Sequence, residues 1–258
     1  MTSTSPTPPF QVTRVRPLDV RGRTPPCTRA YPIVPGVDSV KINDDLLIPA
    51  GRHTLGPEEV QARQRERLLR AMGLCVSERG YVETTIADVV RVARTSRTVF
   101  YKHFADKETC FLRTYEQMTR ARIGASLEAA AAVESWREKL DAGIGAYFRW
   151  MAEHPEVSMT TVVEVHRAGR GALEARRQAL TDWTLTLRGV AVLAQREGQR
   201  VELDDTAYSA ILLTAEAYVH DYACRGALPR VVERAAAVQE LARLLFERGS
   251  EGERRGSG

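Results

Sequence analysis

From Pro57 onward, apolar residues recur at helical spacing, and strict alternation is never sustained. Ile86, Val89, Val90 and Ala93 fall at i, i+3, i+4 and i+7, one face of a short helix. Punctuation delimits each such stretch. A first helix over about 57–79 stops at Gly80. Thr84 or Thr85 caps the short second one, and Ser96 or Thr95 caps a third that ends near Phe104. Asp106 caps a long helix running to about Ala132. Two more, over about 134–152 and 155–168, are separated by "EHP" and closed by "GRG". A helix over about 172–197 ends before Gly198. Asp204 or Asp205 caps one that runs to Gly226, and the last, over about 229–248, stops at Gly249. The pattern predicts nine helices and no sheet, an all-α fold.

Proline sets the boundary of that region. Nine of the twelve prolines lie in the first fifty residues; the others, Pro57, Pro155 and Pro229, each open a helical stretch, where a missing N–H costs nothing. Residues 1–52 therefore read as a disordered arm rich in proline and arginine. Residues 57–113 read as a three-helix domain, and 114–250 as a larger helical bundle. Charge follows the same division. Lys and Arg exceed Asp and Glu by three over 1–56 and by three over 57–113, whereas 114–258 carries an excess of two acids. A polyanion would be met by the N-terminal half. The arm, with Arg14, Arg16, Arg21, Arg23, Arg29, Lys41 and Arg52, suits either a phosphate-tracking extension or a tail with no role.

Other classes find little support. The four cysteines, at 27, 75, 110 and 224, have no CxxC spacing, and the five histidines are scattered, so no metal site or disulfide framework is expected. No cofactor motif is present. No apolar run reaches membrane-spanning length, and "MTSTSPTPPF" lacks the regions of a signal peptide, so a cytoplasmic protein is expected.

Two short helices joined by about four residues, the second capped by Ser or Thr, make a helix-turn-helix. Wound at about 100° per residue, the second, within "TSRTVFYKHFADKE", puts Phe100 and Phe104 on one side with His103 at the margin. Arg97, Thr98, Tyr101 and Lys102 lie on the other. Such a helix anchors by its phenylalanines and offers its polar face to a DNA major groove. Lys107, at the start of the next helix, adds charge to free backbone N–H groups.

The stretch "RERLLRAMGLCVSERGYVETTIADVVRVARTSRTVFYKHFADKETCF", residues 65–111, resembles the DNA-binding domain of TetR-family transcriptional regulators. Gly80-Tyr81, the Thr84-Thr85 cap, Ser96-Arg97, "FYKHF" and "DKE" carry the resemblance. It implies that Thr84, Thr85, Ser96, Arg97, Thr98, Tyr101, Lys102, His103 and Lys107 face a double-stranded DNA operator. Two places depart from the family pattern: Arg94 stands in the turn where glycine is usual, and Thr98-Val99 replace a small residue followed by threonine.

In the C-terminal half, Trp136, Leu140, Ile144, Tyr147 and Met151 form one stripe, and Leu180, Trp183, Leu187 and Val190 another. Met159, Val162, Val163 and His166 form a third edge. On spacing alone these are core stripes; the resemblance implies a small-molecule effector in this half. Tyr147, Met151, Met159, Val163, His166, Trp183 and Leu187 are the candidate contacts. It also implies a homodimer through helices 204–226 and 229–248, whose apolar faces could otherwise close the monomer. A ligand-responsive repressor is the expectation. The alternatives are a DNA-binding regulator with no effector, and a helical ligand-binding protein or enzyme that has lost DNA binding.

Overall fold

The computed structural model describes residues 56–248, so the arm over 1–52 and the stop at Gly249 lie outside the described residues. The described residues contain nine α-helices and no strand. Helix α1 (Pro57–Arg79) begins with proline and two glutamates in its first turn, and ends at Gly80, whose φ of 81° favours glycine. Helix α2 (Ile86–Val92) starts from a reciprocal capping box between Thr85 and Asp88. Helix α3 (Arg97–His103) is capped by the Ser96 hydroxyl, and α4 (Lys107–Ala131) by the Asp106 carboxylate. A second capping box, Ser135 with Glu138, opens α5 (Trp136–Glu153). After the short α6 (Pro155–Ser158) come α7 (Arg170–Arg196), α8 (Asp205–Cys224) and α9 (Ala235–Arg248).

Two stretches differ from regular α-helix. The stretch expected as one helix over 155–168 is composite: α6 passes into a π turn over Met159–Val163 and a 3₁₀ turn over Glu164–Arg167. Its sequence gives the reason. Valines and threonines crowd it, and the Thr161 hydroxyl donates to the Val157 carbonyl at 2.8 Å, which loosens the regular ladder. The change of winding breaks the helical phase. Glu164 and Val165 turn inward, both fully buried, and His166, expected on the inner edge, is exposed. The last helix is likewise preceded by a 3₁₀ stretch, Leu228–Arg234.

The helices enclose two apolar clusters. Leu68, Met72 and Val76 of α1 meet Val89 of α2, Phe100 and Phe104 of α3, and Phe111 and Tyr115 of α4. Val165, Ala168 and Ala172 join this cluster from beyond the π turn. The second cluster holds the stripes of α5, α7, α8 and α9, including Trp136, Phe148, Trp183, Tyr208 and Phe246. Gly143 of α5 brings its backbone close to the Ser126 carbonyl of α4; a Cβ there would stand 3.4 Å from that oxygen. Cys75 and Cys110 are packing residues, their thiols pushed up to about 12 chiefly by burial.

Candidate nucleic-acid interface

The turn between α2 and α3 is built on a residue that the chain must strain to accommodate. Arg94 has φ 49°, the one positive value outside glycine among the described residues. The Arg94 N–H donates to the Arg91 carbonyl and the Thr95 N–H to the Val90 carbonyl, the pairing of a Schellman C-cap. Arg67, inside the fold on α1, donates through Nη2 to the Ala93 carbonyl and, at 2.6 Å, to that of Arg94. Burial, then the neighbouring Arg94 charge, lowers the Arg67 pKa, but a guanidinium stays protonated and holds both carbonyls.

That fixed turn aims α3. Phe100 is fully buried and Phe104 nearly so, their ring centroids 5.7 Å apart. The opposite face, Arg97, Thr98, Tyr101 and Lys102, is exposed, with Tyr101 57% accessible despite its aromatic ring. A guanidinium, an ammonium, a hydroxyl and a phenol thus stand in solvent on one rigid surface. Two cations displace counterions from phosphate, and all four groups can hydrogen-bond phosphates or base edges. Val99 is half-buried, and its N–H is taken by the Ser96 hydroxyl at 3.2 Å.

Other candidates are committed inside the fold. Thr84 is buried, its hydroxyl donating to the Gly80 carbonyl at 2.7 Å, while exposed Thr85 spends its hydroxyl in the α2 cap. Lys107 Nζ donates to the carbonyls of Tyr81, Val82 and Thr84 at 3.0, 3.3 and 3.0 Å and stands 4.3 Å from the Tyr81 ring centroid. Its three donors tie down the loop before α2. His103 is half-buried, with Nε2 3.4 Å from Gln64 Oε1. Burial, aided by Arg65 and Lys102, lowers its pKa, so the ring is neutral at pH 7.

The sequence reading missed Arg67 and Glu164 as parts of this site. Glu164 Oε2 accepts the Tyr81 backbone N–H at 2.8 Å, joining the 3₁₀ turn to the loop that Lys107 holds. The signal that could have found them was a charged residue on an apolar stripe: Arg67 beside Leu68 and Leu69, Glu164 beside Val163 and Val165.

Of the candidate effector residues, Tyr147, Met151, Met159, Val163, Trp183 and Leu187 belong to one buried cluster, and exposed His166 stands apart from it. A mainly apolar cleft of about 340 Å³ opens between α4, α5 and α7, with Leu127, Leu140, Ile144, Trp183, Leu187 and Val190 in its walls. Trp183 and Leu187 are the two candidates that line it.

A capped, rigid helix-turn-helix with a polar exposed face, carried on an all-helical body, defines a DNA-binding protein. Residues 75–114 match the family described as bacterial regulatory proteins, tetR family. The fold is similar to that of the fatty acid degradation regulator FadR from Bacillus halodurans, with TM-score 0.64 and 16% identity, over 78% of this chain and 99% of the other. FadR from Bacillus subtilis, solved in complex with stearoyl-CoA, gives TM-score 0.62 and 19% identity, over 69% and 96%. PfmR from Thermus thermophilus, a TetR-family transcriptional regulator, gives 0.52 and 21%, over 72% and 99%. The search of curated proteins found no match. Residues 75–114 thus carry the pattern of the tetR family of bacterial regulatory proteins, and the fold around them is the one seen in TetR-family regulators.

Proposed function

We propose that this protein is a homodimeric repressor that leaves a near-palindromic operator when a small apolar or aromatic effector enters its C-terminal half. The observation that carries the reading is the α3 surface: Arg97, Thr98, Tyr101 and Lys102 exposed together over a buried Phe100–Phe104 anchor. Residues 57–113 would meet DNA, and 114–250 would take the effector and form the dimer. Ser96 and Thr85 set the start of their helices beside the DNA, His103 borders it as a neutral ring, and Thr84 and Lys107 shape the loop behind it. The cleft between α4, α5 and α7 supports an apolar effector, as does the ligand-bound state of the Bacillus subtilis neighbour. We assign the chain no catalytic role and place it in the cytoplasm; no described helix is long and apolar enough to cross a membrane.

The apolar faces of α8 and α9 that the sequence offers for dimerisation are largely used within the monomer: Ile211, Leu212, Ala215, Val219 and Val238 are all buried. The dimer face is therefore assigned to what remains outside, Leu213 and Ala217 on α8 with Ala237 and Leu244 on α9. Two-fold symmetry would then present two α3 helices to successive major grooves. The effector would act by population shift, favouring a conformation whose α3 helices no longer match the two half-sites.

Nuclease footprinting on DNA flanking the protein's own gene tests this. The expected result is one protected region with two-fold symmetry, lost on addition of a small molecule that raises the protein's melting temperature. A footprint that survives every such binder would leave a regulator without an effector.

A further inference from the structure

Beside the apolar cleft, the interior of the C-terminal half contains a polar cluster that the fold leaves incompletely satisfied. Helix α4 carries Tyr115, Thr119 and Arg122 along one face, α5 supplies Tyr147, α7 Arg176 and α8 Glu216. Arg122 is 2% exposed, Tyr115 and Tyr147 1% each, and Thr119 and Glu216 5% each. Arg176 donates to Glu216, and Arg122 Nη1 lies 3.5 Å from the other oxygen of that carboxylate. Tyr115 Oη faces Thr119, and Tyr147 Oη faces Arg122, yet these four groups and Arg176 Nε reach no partner in full hydrogen-bonding geometry within the protein.

The imbalance has a sign. Two guanidinium groups, buried Arg122 and half-buried Arg176, face one carboxylate, leaving one surplus positive charge, and every one of these donor-side atoms is a donor or a hydroxyl that can donate. Burial, before any other influence, holds the Tyr115 and Tyr147 phenols above the ordinary phenol range, so both keep their protons. A buried charge without a counter-charge and buried donors without acceptors both cost stability. A monoanion with two acceptor oxygens answers both deficits; a dianion would overshoot the single positive charge. The cluster lies behind the cleft wall. Ser126, in the cleft wall, donates to the Arg122 carbonyl one turn back, and the Trp183 ring, also in the wall, lies 6.1 Å from that of Tyr147.

We infer that Arg122, Arg176, Tyr115 and Tyr147 form a head-group site for the carboxylate of an apolar monocarboxylic acid whose hydrocarbon portion occupies the cleft between α4, α5 and α7. This deepens the effector reading above and rests on it for its regulatory consequence, though not for binding itself. Arg122 and Arg176 supply charge, the two phenols and Thr119 fix the oxygens, and Glu216 holds the arginines in place.

Calorimetric titration of the full chain tests it, with straight-chain carboxylates from butanoate to dodecanoate set against the matching alcohols. At least one acid should bind ten-fold or more tighter than its alcohol. Tyr147→Phe and Tyr115→Phe, which keep the ring volumes, should each reduce that preference several-fold. Arg122→Met should abolish it where the variant folds, and the tyrosine variants decide the matter where it does not. Equal affinity for acid and alcohol, an acid preference untouched by both tyrosine changes, or no acid binding at all would overturn the inference. Operator binding by the ligand-free protein, measured in parallel, reports separately on the regulator reading: it can survive the loss of this site, and its absence would leave acid binding unaffected.

Discussion

Arg94 shows what a single backbone position demands. A left-handed conformation costs an L-residue about 1–2 kcal/mol, and here the Arg67 guanidinium offsets it by holding the Ala93 and Arg94 carbonyls. Arg94→Gly removes the steric cost but gives the unfolded chain more freedom, so thermal melting should show a gain of up to about 1 kcal/mol. Arg67→Ala leaves two carbonyls without their donor and should lose about 1–3 kcal/mol in the same assay. His103 gives a pH signature. Its folded pKa is lowered by burial, by Arg65 and by Lys102. Below the unfolded value near 6.5, the unfolded state therefore takes a proton that the folded state refuses, so stability falls on acidification and is unaffected at higher pH. Denaturant titrations at pH 7 and pH 5 should show a smaller loss for His103→Gln than for the unchanged protein. At this scale the sequence was legible where a residue's role is local. The Ser96 and Asp106 caps and the buried Phe100 could be read from spacing. The loop-holding roles of Lys107 and Arg67 could not, because their partners lie 23 to 27 residues away.

Among elements, most regular helices were readable to within a residue or two because caps, glycines and prolines mark their ends. The last, expected from about 229, begins as α-helix only at Ala235, after a 3₁₀ stretch. The segment after α5 was not readable. Its apolar residues fit a helical template, yet its β-branched run and threonine back-bonding yield a π turn and a 3₁₀ turn. That change of winding moves Glu164 inward, onto the Tyr81 N–H and against Gly80. The segment thus links the body of the C-terminal half to the loop preceding α2. Glu164→Ala should lower stability by about 1–3 kcal/mol, from loss of a buried hydrogen bond to a carboxylate. Glu164→Gln, which can still accept the N–H through its amide oxygen, should lose less; equal losses in chemical denaturation would show that the bond does not secure the loop.

For the molecule as a whole, the sequence conveyed the helical architecture and the place of the helix-turn-helix, but not how apolar surface divides between monomer and partner. Periodicity identifies an apolar face without saying what covers it. Ile211, Leu212 and Val238, read as either dimer face or monomer core, are core, and the exposed residues are Leu213 and Leu244, at 42% and 55% accessible. The Leu213→Glu, Leu244→Glu double variant should sediment at the monomer mass of 28.7 kDa and bind operator at least ten-fold more weakly, with the helical content unchanged. A double variant that sediments as a dimer would place the interface elsewhere.

Whether the exposed α3 face reads DNA is decided by fluorescence anisotropy. Fragments flanking the protein's own gene are titrated at several salt concentrations with the unchanged protein, Lys102→Ala and Thr98→Ala. The unchanged protein should bind one fragment saturably and selectively. Lys102→Ala should weaken binding uniformly and flatten its salt dependence, and Thr98→Ala should alter the fragment preference. Equal binding to every fragment, vanishing steeply with salt and unchanged by either substitution, would mean that α3 is not the reading surface.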